Sequence, residues 1–340
     1  MRVLQAMAGA AVGGAEAFFS RLVPALGRAG VEQRVVIRRN ADRARGLRAA
    51  GLDVVELPFG GAVDFYTPIQ LKRQIANFRP DVVLSWMNRA SAMCPRGDFV
   101  HVGRLGGYYD LKYYASCDHL IGNTEDIVAH LGEAGWPADR AHYLPNFVHG
   151  ARESPWPRGN AFTPNSSPLI LALGRLHANK AFDVLLRAVA QVSEAYLWIA
   201  GEGPLRGELL ALAERLGVKP RLRLLGWRDD VASLYAAADM VVCPSRIEPL
   251  GNVVIEAWAQ SVPVIAADSA GPGGLIKHWE TGVLVPVDDH ISMARAIKLL
   301  LTDDSLRERI AEAGFAVYDE RFTESTVIER YMRFFEQFTR

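Results

Sequence analysis

The sequence predicts an α/β fold of two Rossmann-like, doubly wound domains that face each other across a cleft. Three observations support this prediction. The chain has 340 residues, which is too long for one ordinary hydrophobic core. Short apolar runs alternate with helical periodicity in both halves, as expected for parallel sheets with helical crossovers. The alternation stops only over residues 150–168, where four prolines among polar residues indicate an interdomain linker.

The first half opens with a predicted strand at residues 3–7 and a helix at 15–29. Further helices are predicted at 41–50 and 69–78, and further strands at 33–37, 53–57, 81–85, 99–105, 119–122 and 142–144. Strands separated by helices favour parallel pairing. We therefore predict an N-terminal Rossmann-like domain over residues 1–152.

The second half repeats the alternation. Helices are predicted at 181–192, 206–216, 253–259 and 291–301, and strands at 169–173, 196–200, 221–225, 240–243, 263–267 and 282–285. A further element of unassigned type is predicted at 231–237. This gives a second Rossmann-like domain over residues 153–321. An amphipathic, aromatic-rich helix over residues 322–340 is expected to pack back on the first domain.

Composition excludes some functions. Lys plus Arg and Asp plus Glu number 38 each, which gives no basis for nucleic-acid binding. No apolar run of 18 residues is present, so we expect a cytoplasmic protein without a transmembrane helix. A basic cluster near the second predicted helix has two interpretations, a solvated helix face or a surface that holds the protein at the inner face of a membrane: Arg38, Arg39, Arg43, Arg45 and Arg48.

The most informative segment is residues 248–259, EPLGNVVIEAWA. It follows a predicted strand and opens a helix at Gly251, whose unpaired N–H groups suit a pyrophosphate. Asn252 is a suitable helix cap. The carboxylate of Glu256 can accept hydrogen bonds from ribose hydroxyls, and that of Glu248 from hydroxyls of a transferred sugar. As isolated residues, both glutamates would be ordinary surface acids.

A second segment, residues 174–185, places two cations in a turn after a strand. Arg175 can bind two phosphate oxygens with its planar guanidinium, and Lys180 supplies a point charge. Cations fixed beside a departing diphosphate are catalytic, because negative charge gathers there as the glycosidic bond breaks.

Both segments resemble the motifs of the retaining glycosyltransferases of family 4, which have the GT-B fold. The resemblance implies that the domain over residues 1–152 binds the acceptor and that the domain over residues 153–321 binds the donor, a nucleoside-diphosphate sugar. It also implies that synthesis of a bacterial surface polysaccharide, lipopolysaccharide or glycolipid is the context. It implies catalytic roles for Arg175, Lys180 and Glu248. The family usually has glycine where this chain has Ala181. Donor contacts are implied for Gly14, Gly174, Trp227, Arg228, Leu250, Gly251, Asn252, Val253 and Glu256.

The acceptor side resembles the family more weakly. Gly13-Gly14-Ala15-Glu16 is similar to the family's Gly-Gly-x-Glu turn, which implies that Glu16 belongs to the acceptor site. The alternative is a tight turn that Glu16 caps. Either His101 or Arg104 is expected to face a sugar, lipid-linked or glycan acceptor, although a buried structural histidine is an equal alternative. Tyr108 and Asn123 complete the candidate acceptor residues.

The sequence contains no D-x-D triplet, so no metal and no cofactor are expected beyond the donor itself. Adjacent aspartates at 229–230, 288–289 and 303–304 are typical of helix caps. The family precedent is front-face displacement, in which the leaving phosphate helps to deprotonate the acceptor. The alternatives are an epimerase of the same fold and a non-catalytic protein that binds sugar nucleotides.

Overall fold

The computed structural model describes residues 1–11, 13–61, 63–150 and 152–338. The chain divides into two compact units, Met1–Phe147 with Glu324–Arg340, and Val148–Thr323. Within the described residues, no helix has the length and apolar character needed to cross a membrane.

The first unit is built on a parallel sheet of seven strands in the order β3-β2-β1-β4-β5-β6-β7. The strands are β1 (Arg2–Met7), β2 (Glu32–Arg38), β3 (Asp53–Leu57), β4 (Val82–Trp86), β5 (Val100–Leu105), β6 (His119–Gly122) and β7 (Ala141–Tyr143). The helices between them are α1 (Gly14–Arg28), α2 (Ala41–Ala49), α3 (Tyr66–Phe78), α4 (Met87–Met93) and α5 (Glu125–Glu133).

The second unit has a parallel sheet of six strands in the order β10-β9-β8-β11-β12-β13. These are β8 (Leu169–Leu173), β9 (Tyr196–Ala200), β10 (Leu222–Gly226), β11 (Met240–Cys243), β12 (Val264–Ala267) and β13 (Val283–Val285). The helices are α6 (Phe182–Val189), α7 (Arg206–Arg215), α8 (Val231–Ala237), α9 (Asn252–Ala259), α10 (Ala270–Leu275), α11 (His290–Thr302) and α12 (Asp304–Arg321).

The strand order of each unit reverses at one point, between β1 and β4 in the first and between β8 and β11 in the second. Each sheet is buried on both faces by apolar side chains. In open parallel sheets, ligands bind outside the carboxyl ends of the strands at such a reversal. The turn with Lys180 follows β8 and the loop with Glu248 follows β11, so the predicted donor residues flank this point.

The prediction assigned no element to four segments that are helical, namely α4, α5, α10 and α12. The longest, α12, turns Leu306, Ile310, Ala311, Gly314 and Tyr318 inward. A Cβ at Gly314 would overlap the Trp258 ring, so this helix approaches α9 closely through a residue with no side chain. Because alanine and glycine add little to hydrophobic periodicity, the signal for α12 was weak.

The segment at residues 150–168 was predicted as an interdomain linker, and this prediction was wrong for most of its length. Its described part belongs to the second unit, where Trp156 packs on Trp198 at 5.3 Å between ring centroids. Arg158 donates to the Ala237 carbonyl at 2.7 Å and to Asp239 at 3.0 Å. The prolines and polar residues of this segment are held in place, because its backbone and side chains contact α8, Asp239 and β9.

The last helix, α13 (Glu324–Glu336), lies in the first unit. Its buried face consists of Val327, Ile328, Tyr331, Phe334 and Phe335. These side chains join the core formed with α1 and the inner strands. Of the predicted helix at 322–340, residues 339 and 340 lie outside the described part of the chain.

Candidate active site

The turns after β8, β9 and β10 stack on one another through their backbones. Gly201 donates its N–H to the Gly226 carbonyl at 2.8 Å, and Gly174 donates to the Ala200 carbonyl at 3.0 Å. Gly201 has φ of +142°, and a Cβ there would fall on the Gly174 carbonyl oxygen. Only glycine fits such a position. The sequence Gly201-Glu202-Gly203 therefore shapes the wall on which the Arg175 turn rests.

The turn after β8 carries both predicted cations. Arg175 is exposed and makes no hydrogen bond or ion pair with any described residue. The stem of Lys180 packs over Gly174, where an added Cβ would lie 3.0 Å from the lysine Cε. Ala181 is left-handed, with φ of 50° and ψ of 35°. This chain thus keeps a glycine-type conformation with alanine, at a cost on the order of 1 kcal/mol.

Lys180 and Glu248 form an ion pair between the Nζ and Oε2 atoms. Both side chains are largely buried, with 23% and 12% of their surface exposed. Ser245 donates a longer hydrogen bond to the same carboxylate oxygen at 3.4 Å. The structure brings together two residues predicted to touch different parts of the donor, a contact that the sequence did not indicate.

Helix α9 begins at Asn252, with Gly251 before it in the left-handed conformation at φ of 80°. The interpretation of Asn252 as the cap was wrong, because Gly251 occupies the cap position and no side chain caps the helix. A Cβ at Gly251 would approach Leu275 at 3.1 Å and the Pro272 nitrogen at 3.4 Å. Leu250 is buried, and Val253 is half-buried. The helix start is therefore held from behind by α10.

Glu256 lies one turn into α9 and accepts a hydrogen bond from the Tyr235 hydroxyl at 2.9 Å. Burial raises the pKa of Tyr235 well above its usual value, and the neighbouring Glu256 carboxylate raises it further. Tyr235 is therefore a neutral donor that fixes one oxygen of Glu256. The sequence did not single out this tyrosine.

Trp227 and Arg228 follow β10. Trp227 is 62% exposed, and its indole N–H donates to Asp229 at 3.0 Å. Arg228 is paired with Asp230 through two hydrogen bonds of 2.8 and 2.5 Å, and its guanidinium lies 4.7 Å from the Trp156 ring centroid.

Asp230 was predicted to cap a helix, but its side chain makes no capping bond to α8. Asp289 and Asp303 do cap α11 and α12.

In the first unit, Gly14 opens α1 and Glu16 turns back to its own loop. The Glu16 carboxylate accepts from the Ala10 N–H at 2.6 Å and is buried. A Cβ at Gly9 or Gly13 would overlap this carboxylate. The geometry agrees with the interpretation of Glu16 as a residue that caps a tight turn.

His101 and Arg104 both lie within β5 and are each only 2% exposed. His101 bonds Ser85 Oγ at 2.8 Å and the Ser116 carbonyl at 3.0 Å, and burial lowers its pKa. Arg104 donates to the Tyr331 hydroxyl at 2.8 Å and to Asn146 at 2.6 Å. Neither side chain has surface left for an acceptor, so the geometry favours structural roles for both.

Tyr108 and Asn123 lie at the carboxyl ends of β5 and β6. Tyr108 is partly exposed and donates to Asp126; burial and this bond raise its pKa to about 12. Asn123 is buried, and its Oδ1 atom has no hydrogen-bond partner among the described residues. Leaving a buried amide oxygen unpaired lowers the stability of the fold by about 1–3 kcal/mol. Unpaired groups of this kind are typical of functional positions.

Comparison with known proteins decides the family. Residues 158–317 match the model of glycosyl transferases group 1, and residues 12–152 match that of glycosyltransferase family 4. The lipopolysaccharide core biosynthesis glycosyltransferase LpsE of Rhizobium meliloti is 36% identical over 326 residues, covering 94% of this chain and 95% of the relative. The chain belongs to glycosyltransferase family 4.

Solved structures agree on the fold of this glycosyltransferase. A glycosyltransferase from Rickettsia africae superposes with a TM-score of 0.90 at 18% identity, covering 99% of this chain and 98% of the other. Alr3699/HepE of Anabaena, solved in complex with UDP, superposes with a TM-score of 0.86 at 19% identity, covering 99% and 100%. The predicted fold of two Rossmann-like domains, the GT-B fold, is confirmed.

The predicted donor residues of this glycosyltransferase all lie in its second unit, at the carboxyl ends of β8, β10 and β11 or at the start of α9, except Gly14. Among the described residues, no three His, Cys, Asp or Glu side chains converge as a metal site would require. Besides Tyr235, sequence reasoning missed Ser245 and Arg246, which precede Glu248 in its loop. Their only signal in the sequence is their place between a strand and a motif glutamate.

Proposed function

We propose that this glycosyltransferase transfers a sugar from a nucleoside-diphosphate sugar to a hydroxyl group, with retention of the anomeric configuration. The acceptor is a sugar, glycan or lipid-linked glycan of a bacterial surface polysaccharide. The likeness to LpsE supports the lipopolysaccharide core as that polysaccharide. The observation that carries the proposal is the Lys180–Glu248 pair, which lies in the same loop system as the start of α9.

The diphosphate is held by three features of the second unit. The first N–H groups of a helix lack intrahelical acceptors and lie at the positive end of its dipole, so the start of α9 attracts phosphate oxygens. Arg175, which has no partner among the described residues, is available for a bidentate contact. Lys180 keeps two of its three N–H donors for phosphate while the third contacts Glu248.

The nucleoside and the sugar are bound by the remaining candidates. Glu256, steadied by Tyr235, accepts hydrogen bonds from the ribose. The exposed ring of Trp227 stacks beside the base. Glu248 accepts hydrogen bonds from hydroxyls of the transferred sugar, with Lys180 holding its carboxylate in place.

In the chemical step, the bond from the anomeric carbon to the phosphate oxygen breaks as the bond to the acceptor oxygen forms on the same face. The acceptor proton passes to the departing phosphate, so the protein supplies no nucleophile. Arg175 and Lys180 stabilise the charge that develops on the diphosphate, an effect worth about 10²–10³ in kcat for one donor group. The first unit binds the acceptor, and the unpaired Oδ1 of Asn123 is its leading candidate ligand.

The test begins with thermal unfolding in the presence of UDP, GDP, ADP and TDP and their hexose conjugates, because a ligand of the native state raises its stability. Turnover of the stabilising sugar nucleotide is then followed with a core oligosaccharide acceptor, and NMR of the product gives its anomeric configuration. Lys180→Met should reduce turnover roughly 10²-fold or more.

The control variant is Lys219→Met, since Lys219 is an exposed lysine of the same unit that is paired with Glu214. Equal turnover in both variants, or an inverted product, contradicts the proposal. Activity is also expected to survive EDTA; complete loss that Mn²⁺ restores would show a metal requirement.

We propose that the first unit contacts an anionic membrane through an exposed apolar patch and not through the predicted basic cluster. The α2 arginines are largely engaged within the first unit: Arg43 donates to the Ala10 carbonyl at 2.9 Å, Arg45 pairs with Asp42, and Arg48 pairs with Glu56. These exposed, paired side chains favour the interpretation of the cluster as a solvated helix face.

The apolar patch, defined as Val63, Phe65, Tyr66 and Ile69, is 55% to 84% exposed. Asp64 braces the turn by accepting from Gly60 at 2.7 Å and Thr67 at 2.9 Å, and Lys72 and Arg73 are exposed in the next turn of α3. Apolar side chains beside cations suit an anionic bilayer surface. Sedimentation with vesicles of phosphatidylcholine and phosphatidylglycerol should be lost in Phe65→Ser/Ile69→Ser, and binding equal to wild type would exclude this contact.

A further inference from the structure

Arg246 joins three segments of the second unit around the Lys180–Glu248 pair. Its Nη1 and Nη2 atoms donate to the two carboxylate oxygens of Asp183 at 3.0 and 2.8 Å. Its Nε atom donates to Asp288 at 2.6 Å, and Nη1 also donates to the Ala178 carbonyl at 2.8 Å. The side chain therefore connects the turn after β8, the first turn of α6 and the loop before α11.

The backbone beside Arg246 reinforces this connection. The N–H groups of Arg246 and Ile247 donate to the Asn179 carbonyl at 2.8 and 3.3 Å. Asn179 directly precedes Lys180, and Ile247 directly precedes Glu248. The two charged residues are thus each one position away from a direct backbone link between their loops.

The charges of this network are mutually stabilised. Partial burial opposes ionisation of Asp183, but hydrogen bonds and charge from Arg246 hold its pKa below the usual value. The same bonds to Asp183 raise the pKa of Arg246. A planar guanidinium can serve a bidentate carboxylate, a second carboxylate and a carbonyl at once, which an ammonium group cannot match.

We propose that Arg246 is a positioning residue, which holds Lys180 and Glu248 at the spacing that the reaction requires. It contacts neither of their side chains, and it acts by fixing the two loops against each other. The inference rests on the proposed function, in which Lys180 stabilises the departing diphosphate. A misplacement of about 1 Å at a reacting centre can lower the rate roughly 10²-fold.

The experiment combines Arg246→Met with Lys180→Met and measures kcat, KM for the donor and hydrogen exchange of residues 177–181. Arg246→Met should lower kcat about 10- to 100-fold and speed exchange in that turn. In the Lys180→Met background it should change kcat less than threefold, because a positioning residue acts through the group it positions. Asp183→Asn should reproduce the loss of kcat more mildly, and Arg246→Lys should restore only part of it.

The outcomes separate this inference from the proposed function. Additive losses in kcat would show that Arg246 acts on the substrate directly, and an unchanged kcat with a lower melting temperature would show a purely structural role; either result overturns the inference. If Arg246→Met does not fold, Asp183→Asn carries the same cycle. If Lys180→Met itself leaves turnover unchanged, the proposed function fails, whereas unchanged exchange in residues 177–181 of Arg246→Met refutes the positioning role alone.

Discussion

Replacing Arg104 by methionine tests whether this buried cation supports the fold or faces the acceptor. The guanidinium lies inside the first unit, 4.7 Å from the Phe18 ring centroid and 4.6 Å from that of Trp86. It has no carboxylate partner among the described residues, and its hydrogen bonds go to Tyr331 on α13 and to Asn146. Arg104 therefore links β5 to the last helix of the chain.

The expected cost follows from opposing contributions. Two hydrogen bonds from a charged donor contribute about 1.5–3 kcal/mol each, and two cation–π contacts about 0.5–2 kcal/mol each. Methionine restores much of the packing and removes the cost of burying a charge. The Tyr331 hydroxyl, however, is left without its donor at about 1–3 kcal/mol. We expect a net destabilisation of about 3 kcal/mol, or a melting temperature of the first unit lower by roughly 6–12 °C.

The assay is thermal unfolding of the full chain, together with KM for the acceptor. The matched control is Arg28→Met, because Arg28 also reaches α13, through a surface ion pair with Glu324 at 2.5 Å. Such pairs contribute about 0–1 kcal/mol, so this variant should melt close to wild type. If Arg104→Met instead keeps wild-type stability and raises KM for the acceptor, the structural interpretation of Arg104 is wrong.

Three further predictions concern the turns, the ribose contact and pH. Gly201→Ala should lower the melting temperature of the second unit or prevent its folding, because the new Cβ would overlap the Gly174 carbonyl; a wild-type melting curve would contradict the stacked turns. Tyr235→Phe should weaken UDP binding about 3- to 10-fold in calorimetry by releasing Glu256, and an unchanged Kd would separate Glu256 from the ribose. Burial lowers the pKa of three histidines of the first unit below 6.5, so the unfolded chain binds protons more readily. Their contribution to the free energy of unfolding is fully present above pH 6.5 and is lost as the pH decreases below it. An unfolding free energy that does not change from pH 7 to 5 would refute the lowered pKa values of His101, His119 and His142.

The positions of the candidate donor residues could be predicted because each belongs to a short segment that follows a strand. The end of a strand and the helix that follows it determine where Lys180, Glu248 and Glu256 lie, independently of contacts with distant parts of the chain. Tyr235 and Arg246 were not predictable in this way. Their partners lie 21 and 63 positions away in the sequence, so their roles exist only once the strand order is known.

The acceptor candidates show what the sequence could not predict. The resemblance to the family made His101 or Arg104 a candidate for the acceptor side, with a buried structural histidine as an equal alternative. The structure instead gives His101 and Arg104 hydrogen-bond partners on Ser85, on the loop after β5 and on α13. The rings of Phe18 on α1 and Trp86 on β4 also pack against Arg104. These partners are distant in sequence, so periodicity could not distinguish a satisfied buried cation from a ligand of the acceptor.

The Lys180–Glu248 pair allows the two charges to be separated by experiment. Both roles fit one arrangement, because the ammonium group has three donors and the carboxylate about four acceptor sites. A pair that is already formed needs little reorganisation when the donor binds, as efficient electrostatic catalysis requires. UDP carries the diphosphate but not the transferred sugar. The Lys180 ammonium group should therefore attract its diphosphate, and the Glu248 carboxylate should repel it.

Lys180→Met should therefore weaken UDP binding about 10-fold or more, since a charge-assisted contact of about 1.5–3 kcal/mol is lost. Glu248→Gln should leave UDP affinity equal or tighter, because it removes a negative charge beside the diphosphate, while kcat with the full donor falls. Calorimetry with UDP and turnover of the sugar nucleotide measure the two effects separately. If both variants weaken UDP binding alike, Glu248 serves only to hold Lys180, and the sugar must be bound by another residue.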